Sequence, residues 1–193
     1  MSDDALRHKW DTRYRDQTVD ETRAARVLTD NLHLLPAQGR ALDLACGLGA
    51  HACLLARAGL AVEAWDLSPV AITTLAAHAE HEGLPITAQV HDALAAPPPP
   101  DSYDVIVVVH FLERALAPAL TAALRPGGLL FYQTFAGVGP GPGNPAYRLA
   151  RGEILHLFAG LTPVVYREEH DVGDDRRGLR GLRGEALLIA QRP

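Results

Sequence analysis

The sequence holds only two cysteines, Cys46 and Cys53, and both lie in one apolar stretch. That scarcity excludes a disulfide-built scaffold and a cysteine metal cluster, and it predicts a reducing, cytoplasmic setting. Basic residues are in deficit: 18 Lys and Arg face 23 Asp and Glu, a formal net charge of -5. Neutralising a phosphate backbone needs the opposite balance, so no nucleic-acid partner is expected. No run approaches the ~20 apolar residues that span a bilayer, and the opening MSDDALRHKW lacks the apolar centre of a signal peptide. No membrane association is expected. Zinc-like spacing of His and Cys, a P-loop and a nucleophile elbow are all missing, so no metal site is predicted.

What remains is an ordinary globular balance, 48% hydrophobic and 21% charged residues over 193 positions. This predicts one domain spanning 1–193, with a helical N-terminal cap over 1–38 and a core over 39–193. Thr18 and Glu21 form a capping-box pattern, and Ala24, Val27, Leu28, Leu32 and Leu35 follow at helical spacing, so one helix is expected up to Pro36. A short strand over 41–44 then runs into Gly47 and Gly49, and a helix stops at Gly59. A second strand covers 60–65. Ser68 and Pro69 supply the N-cap and first-turn proline of a helix that lasts to Gly83. A third strand at 86–90 leads to four prolines at 97–100, a stiff connector.

The β-branched run 103–109 reads as a strand buried on both faces near the centre of a parallel sheet. A helical stretch over 112–124, interrupted at Pro118, precedes a fifth strand at 129–135. A glycine- and proline-rich loop, a short helix near 152–159 and two strands at 164–170 and 186–190, pairing antiparallel, complete the chain. The alternation predicts an α/β fold: a Rossmann-like, doubly wound, seven-stranded sheet, mostly parallel with an antiparallel terminal strand. Its ligand site belongs beyond the carboxyl ends of the strands, where the strand order reverses.

The chemistry concentrates in LDLACGLGAH. Gly47 and Gly49 let a ligand approach the backbone, and Asp66 follows nineteen residues after Gly47 at the end of the next strand. A carboxylate there can accept both hydroxyls of a ribose; the alternative is a turn aspartate that only caps the next helix. Gly47, Gly49 and Ala52 also satisfy G-x-G-x-x-G/A, so the glycines alone leave a nicotinamide cofactor open. Four further features discriminate: Asp43 four residues before the first glycine, the turn DLSP, Asp92, and RPGG before the fifth strand.

Together these resemble the motif series of class I S-adenosylmethionine-dependent methyltransferases. The resemblance implies S-adenosyl-L-methionine as cofactor, with Asp43 near its ammonium, Asp66 on the ribose and Asp92 on the adenine amino group. It further implies the amide of Ala93 at the adenine ring nitrogen, Leu67 flanking the adenine face, and Ala45, Gly47, Gly49 and Val109 lining the cofactor. KWDTRY, ALDLACGLGAHACLLA, WDLSPVAI, YDVIVVVHFLER, LRPGGLLFYQTF and GEILHLF resemble, more narrowly, the tellurite-resistance branch of thiol and tellurite methyltransferases. Gln133 stands where that branch often has an acidic residue, and Arg151 where proline is common, so the acceptor stays open.

Methyl transfer is an in-line displacement that depends chiefly on alignment, and a soft anionic acceptor needs no base. His110, at the end of the fourth strand, is the candidate base or acceptor-orienting residue, with a structural histidine as the alternative. Phe111 is a candidate wall of a small-molecule acceptor pocket, Trp10 and Tyr14 a candidate lid, and Arg148, behind the fifth strand, a candidate acceptor contact. Cys46 reads as a buried hydrophobe rather than a nucleophile. Arg177, Arg180 and Arg183 recur in a Gly-Leu-Arg repeat that either attracts an anionic acceptor or forms a solvated loop balanced by Asp174 and Asp175. Two other readings remain: an NAD-dependent oxidoreductase, and a non-catalytic S-adenosylmethionine-binding regulator. A monomer or a homodimer is expected.

Overall fold

The computed structural model describes residues 3–170, 172 and 181–193. Seven strands form one sheet: β1 (Arg40–Leu44), β2 (Ala61–Asp66), β3 (Ile86–Val90), β4 (Tyr103–Val109), β5 (Leu124–Phe135), β6 (Thr162–Glu168) and β7 (Glu185–Gln191). Their order is β3-β2-β1-β4-β5-β7-β6. β1 to β5 pair in parallel, while β7 lies antiparallel between β5 and β6. The predicted mixed sheet and the terminal antiparallel pair are therefore present.

Side chains alternate across each strand, and the sheet divides the core into two layers. Leu42, Leu44, Ile106, Val108, Leu130 and Tyr132 face α5 (Ala117–Ala123) and α6 (Glu153–Leu157). Ala41, Val62, Val105, Val107 and Phe131 face α2 (Arg26–Thr29), α3 (Ala50–Arg57) and α4 (Pro69–Glu82). β4 sits between β1 and β5, as its β-branched run requires, with Val105 through Val108 fully buried.

α4 obeys its punctuation. Ser68 Oγ accepts the Ala71 N–H at 3.2 Å, Pro69 occupies the first turn, and Gly83 closes the helix in the left-handed conformation. The single helix expected from Thr18 to Leu35 is not formed. That segment breaks into a 3-10 turn at Val19–Glu21, the one-turn α2, and a second 3-10 turn at Leu32–Leu34. The Thr18 N–H does bond to Glu21 Oε2 at 2.8 Å, but only a turn follows. Two tertiary bonds override the helical period: the N–H groups of Ala25 and Val27 are taken by His51 Nε2 at 3.0 Å and Gln133 Oε1 at 2.8 Å. A helix α1 (Asp3–Tyr14) covers the charged N-terminal segment, inside the range expected for the helical cap. No helix among the described residues is long and apolar enough to cross a membrane.

Phe131, with no exposed surface at the sheet centre, fixes how β5 meets the α2 and α3 layer. Phe131→Ala is expected to cost about 3–5 kcal/mol, read from the urea midpoint at constant m-value; a loss below ~1 kcal/mol would show that this layer does not hold the fold.

Candidate functional site

The strand order reverses between β1 and β4, and the expected cofactor residues and His110 lie at the carboxyl ends of β1 to β4. Ala41 and Asp43 share the face of β1 that meets α3, which carries the Asp43 carboxylate into the first turn of that helix. Asp43 is 1% exposed, and its Oδ2 accepts the Ala52 N–H at 2.9 Å. Asp66, at the end of β2, accepts the Gly47 N–H on Oδ2 at 2.8 Å and the Ser68 N–H on Oδ1 at 2.9 Å. Asp66 therefore serves the turn. Each of its oxygens takes one backbone donor, and a carboxylate has further lone pairs for a ligand's hydroxyls.

Alternate residues of the turn between β1 and α3 are left-handed: φ is +57° at Ala45, +53° at Gly47 and +82° at Gly49. At Gly47 a side chain would meet the Tyr14 hydroxyl at 2.8 Å, and at Gly49 it would strike Leu75. Both glycines are thus required by space as well as by conformation. Ala45, a non-glycine residue at positive φ, marks strain at the strand end.

Three carboxylates stand along this edge, one at or just beyond each of β1, β2 and β3. Asp92 Oδ1 accepts the Leu94 N–H at 2.9 Å, Ala93 beside it is buried, and Leu67 and Val109 are half-buried. Burial pushes the Asp43 carboxyl up from 3.8 to about 7, opposed by the Ala52 amide and reinforced by the negative charge of Asp66. Burial also raises Asp66, against the Ser68 and Gly47 amides. Backbone amides, not cationic side chains, meet the oxygens of both. A glycine cradle flanked by such carboxylates fits a ligand with a diol and positive charge, which is the chemistry of S-adenosylmethionine.

The candidate lid lies over this turn. α1 is held at the start of α4, where Asp11 Oδ1 accepts the Ser68 Oγ–H at 2.5 Å. Tyr14 stacks on Trp10 with ring centroids 6.0 Å apart, and its hydroxyl covers Gly47. Burial, then the nearby Asp66 charge, raises the Tyr14 phenol above its ordinary range, so it stays protonated. Cys46 is 6% exposed, and burial pushes its thiol up, as a packing role requires.

On the other side of the reversal point lies a cavity of about 330 Å³ lined by Arg23, His51, Val109, His110, Arg183 and Glu185 among others. His110 takes a left-handed φ of +53° at the end of β4, and its ring stacks on Phe135 at 4.5 Å. His51 was not singled out by the sequence; its signal was only its place after the second glycine. Its Nε2 accepts the Ala25 N–H at 3.0 Å, so the proton of the neutral ring sits on Nδ1, 3.9 Å from Asp43 Oδ1. Burial, then the charge of His110, lowers His51 to about 4 and keeps it neutral. His51 is thus the wall shared by the cavity and the glycine turn.

Phe111 is not brought into the cavity wall: it packs on the α5 and α6 layer, and its carbonyl accepts the Tyr132 hydroxyl at 2.7 Å. Arg148 is placed elsewhere as well. Its guanidinium lies over Phe135 and donates to the carbonyls of Gly137, Gly139, Pro140 and Pro142, pinning the loop after β5. Arg183 reaches the cavity, whereas Arg177, Arg180, Asp174 and Asp175 lie outside the described residues. Among the described residues no group of His, Cys, Asp and Glu could hold a metal ion.

Residues 41–128, a little under half of the chain, match the family described as a methyltransferase domain. Fold and match together make this chain similar to class I S-adenosylmethionine-dependent methyltransferases. That match favours S-adenosylmethionine over the nicotinamide alternative. The ribosomal protein L11 methyltransferase of Dechloromonas aromatica is 40% identical over 145 residues, 74% of this chain and 43% of the relative. A ubiquinone biosynthesis O-methyltransferase of Burkholderia multivorans is 31% identical over 137 residues, 67% of this chain and 59% of the relative. The chain spans about half the length of these curated relatives. TehB from Haemophilus influenzae has a crystal structure that superposes with a TM-score of 0.73 at 21% identity, covering 97% of this chain and 67% of that one, a likeness of fold.

The raised Asp43 carboxyl has a definite sign. Between about pH 4 and pH 7 the folded protein keeps a proton that the unfolded chain releases. Its contribution to stability is full below pH 4, is lost as pH rises through 7, and is flat above. In Asp43→Asn that slope, up to ~1.4 kcal/mol per pH unit, is absent. Urea unfolding at pH 5 and pH 7 is expected to show the variant gaining on the wild type as pH rises; parallel curves would place the Asp43 proton elsewhere.

Proposed function

We propose that this protein transfers the methyl group of S-adenosylmethionine to a small-molecule acceptor, a thiol or a chalcogen oxyanion, bound in the cavity beside His110. The single observation that carries this reading is the composition of that cavity. A space of about 330 Å³ admits a small acceptor, and Arg23, Arg183 and two imidazoles on its wall suit an anionic or ionisable one. The bound cofactor supplies an electrophilic methyl carbon on a positively charged sulfur. Asp43, Asp66 and Asp92 hold it, with Ala45, Gly47, Gly49, Leu67, Ala93 and Val109 around it, and α1 with Trp10 and Tyr14 excludes water from it. That carbon would be open to attack by the acceptor's lone pair, and His110 is placed to take the proton of a thiol acceptor. Tellurite resistance is the matching phenotype in this reading.

A cytoplasmic protein that is a monomer or a homodimer, without nucleic-acid or membrane partners, completes the proposal. Two free, buried cysteines and the net charge of -5 support it.

The test is release of S-adenosylhomocysteine with 2-mercaptoethanol and with tellurite as acceptors. His110→Asn keeps a residue that tolerates the left-handed backbone; it is expected to lower thiol turnover about a hundredfold with cofactor affinity unchanged. Arg23→Ala or Arg183→Ala is expected to raise the KM for tellurite about tenfold and to leave the thiol unaffected. Cofactor binding without turnover of either acceptor would favour a non-catalytic regulator.

A further inference from the structure

One polar chain, buried at Gln133, runs from α2 through β5 and β7 to His110, and the mechanism uses only its last member. The Val27 N–H donates to Gln133 Oε1 at 2.8 Å, and Gln133 Nε2 donates to Glu185 Oε2 at 2.5 Å. The other oxygen of Glu185, Oε1, lies 3.3 Å from His110 Nε2. Gln133 is 4% exposed, and its orientation is dictated, because only its oxygen can serve a backbone N–H. Phe135 stacks on the imidazole with the planes 13° apart, and the His110 N–H donates to the Gln133 carbonyl at 2.9 Å. The ring therefore has few ways to turn.

We propose that Glu185, held by Gln133, is a positioning residue that fixes His110 as the Nε2–H tautomer and leaves Nδ1 as the nitrogen that takes the acceptor's proton. This rests on the cavity being the acceptor site. A thiol bound there gives its proton to Nδ1, and its sulfur lone pair forms the bond to the methyl carbon. The carbon–sulfur bond of the cofactor breaks with its electron pair on the departing thioether, and the imidazolium passes its proton to water. The carboxylate opposes the positive charge while it exists, as in other carboxylate–imidazole pairs. Burial pushes the Glu185 carboxyl up, yet the bonds from His110 and Gln133 outweigh it and hold Glu185 ionised.

The chain makes a sharp demand of Glu185→Gln. Gln133 must still present its amide hydrogens, so the new side chain turns its oxygen to Gln133 and its own amide hydrogens to His110. Nε2 must then accept, and the ring shifts to the Nδ1–H tautomer. Nitrogen-15 imidazole spectra of the full chain at pH 8 read this directly: Nε2–H in the wild type and Nδ1–H in the variant, with melting checked by circular dichroism. Turnover of 2-mercaptoethanol is expected to fall about a hundredfold with cofactor affinity unchanged. An Nδ1–H ring in the wild type, no tautomer change in Glu185→Gln, or a change without loss of turnover each overturns the proposal. If the wild type methylates neither the thiol nor tellurite, the acceptor reading fails, and the tautomer alone then decides the pairing.

Discussion

Two carboxylates, Asp43 and Asp66, are buried together at the carboxyl edge of the sheet, and their oxygens are met by the backbone N–H groups of Ala52, Gly47 and Ser68. Burying negative charge without a cation is costly, and the raised Asp43 and Asp66 carboxyls express that cost. Everything near the site follows from keeping those groups in place. The left-handed glycine turn aims the Gly47 amide at Asp66, the first turn of α3 aims the Ala52 amide at Asp43, and the parallel pairing of β1 with β2 sets the separation of the two strand ends.

The reversal point between β1 and β4 separates two electrostatic environments. On the β1 to β3 side, carboxylates predominate beneath α1, which is anchored by Asp11 on Ser68. On the β4 and β5 side, imidazoles and arginines line the cavity, with Glu185 the one carboxylate on its wall. His51 stands between, neutral, with one nitrogen on the Ala25 amide and the other toward Asp43. This division matches the two halves of a transfer reaction: a positively charged donor on one side and an electron-rich acceptor on the other.

Much of this was legible in the sequence. The alternation of elements, the β-branched β4, the Ser68-Pro69 start of α4 and the glycine turn each depend on residues within one short window, and all of them formed. The proposed cofactor residues were picked out in the same way, by their place at or near strand ends. The cavity side was not. Glu185 stands opposite Phe135 only because β7 inserts antiparallel beside β5, and no local pattern announces that register. Arg148 looked like a site residue by its position behind the loop, but a guanidinium satisfies loop carbonyls as well as it binds anions. The Thr18–Leu35 helix failed because bonds to His51 and Gln133, remote in sequence, took amides that a helix would have used.

The central claim is that the Asp66-centred turn is a binding site for S-adenosylmethionine rather than only a structural cap. Calorimetric titration of the wild type and Asp66→Ala with S-adenosylmethionine, S-adenosylhomocysteine and NAD tests it most directly. The account predicts micromolar binding of the first two, no binding of NAD, and loss of affinity in a variant that still melts cooperatively. Undiminished affinity in that variant, or binding of NAD alone, would contradict it.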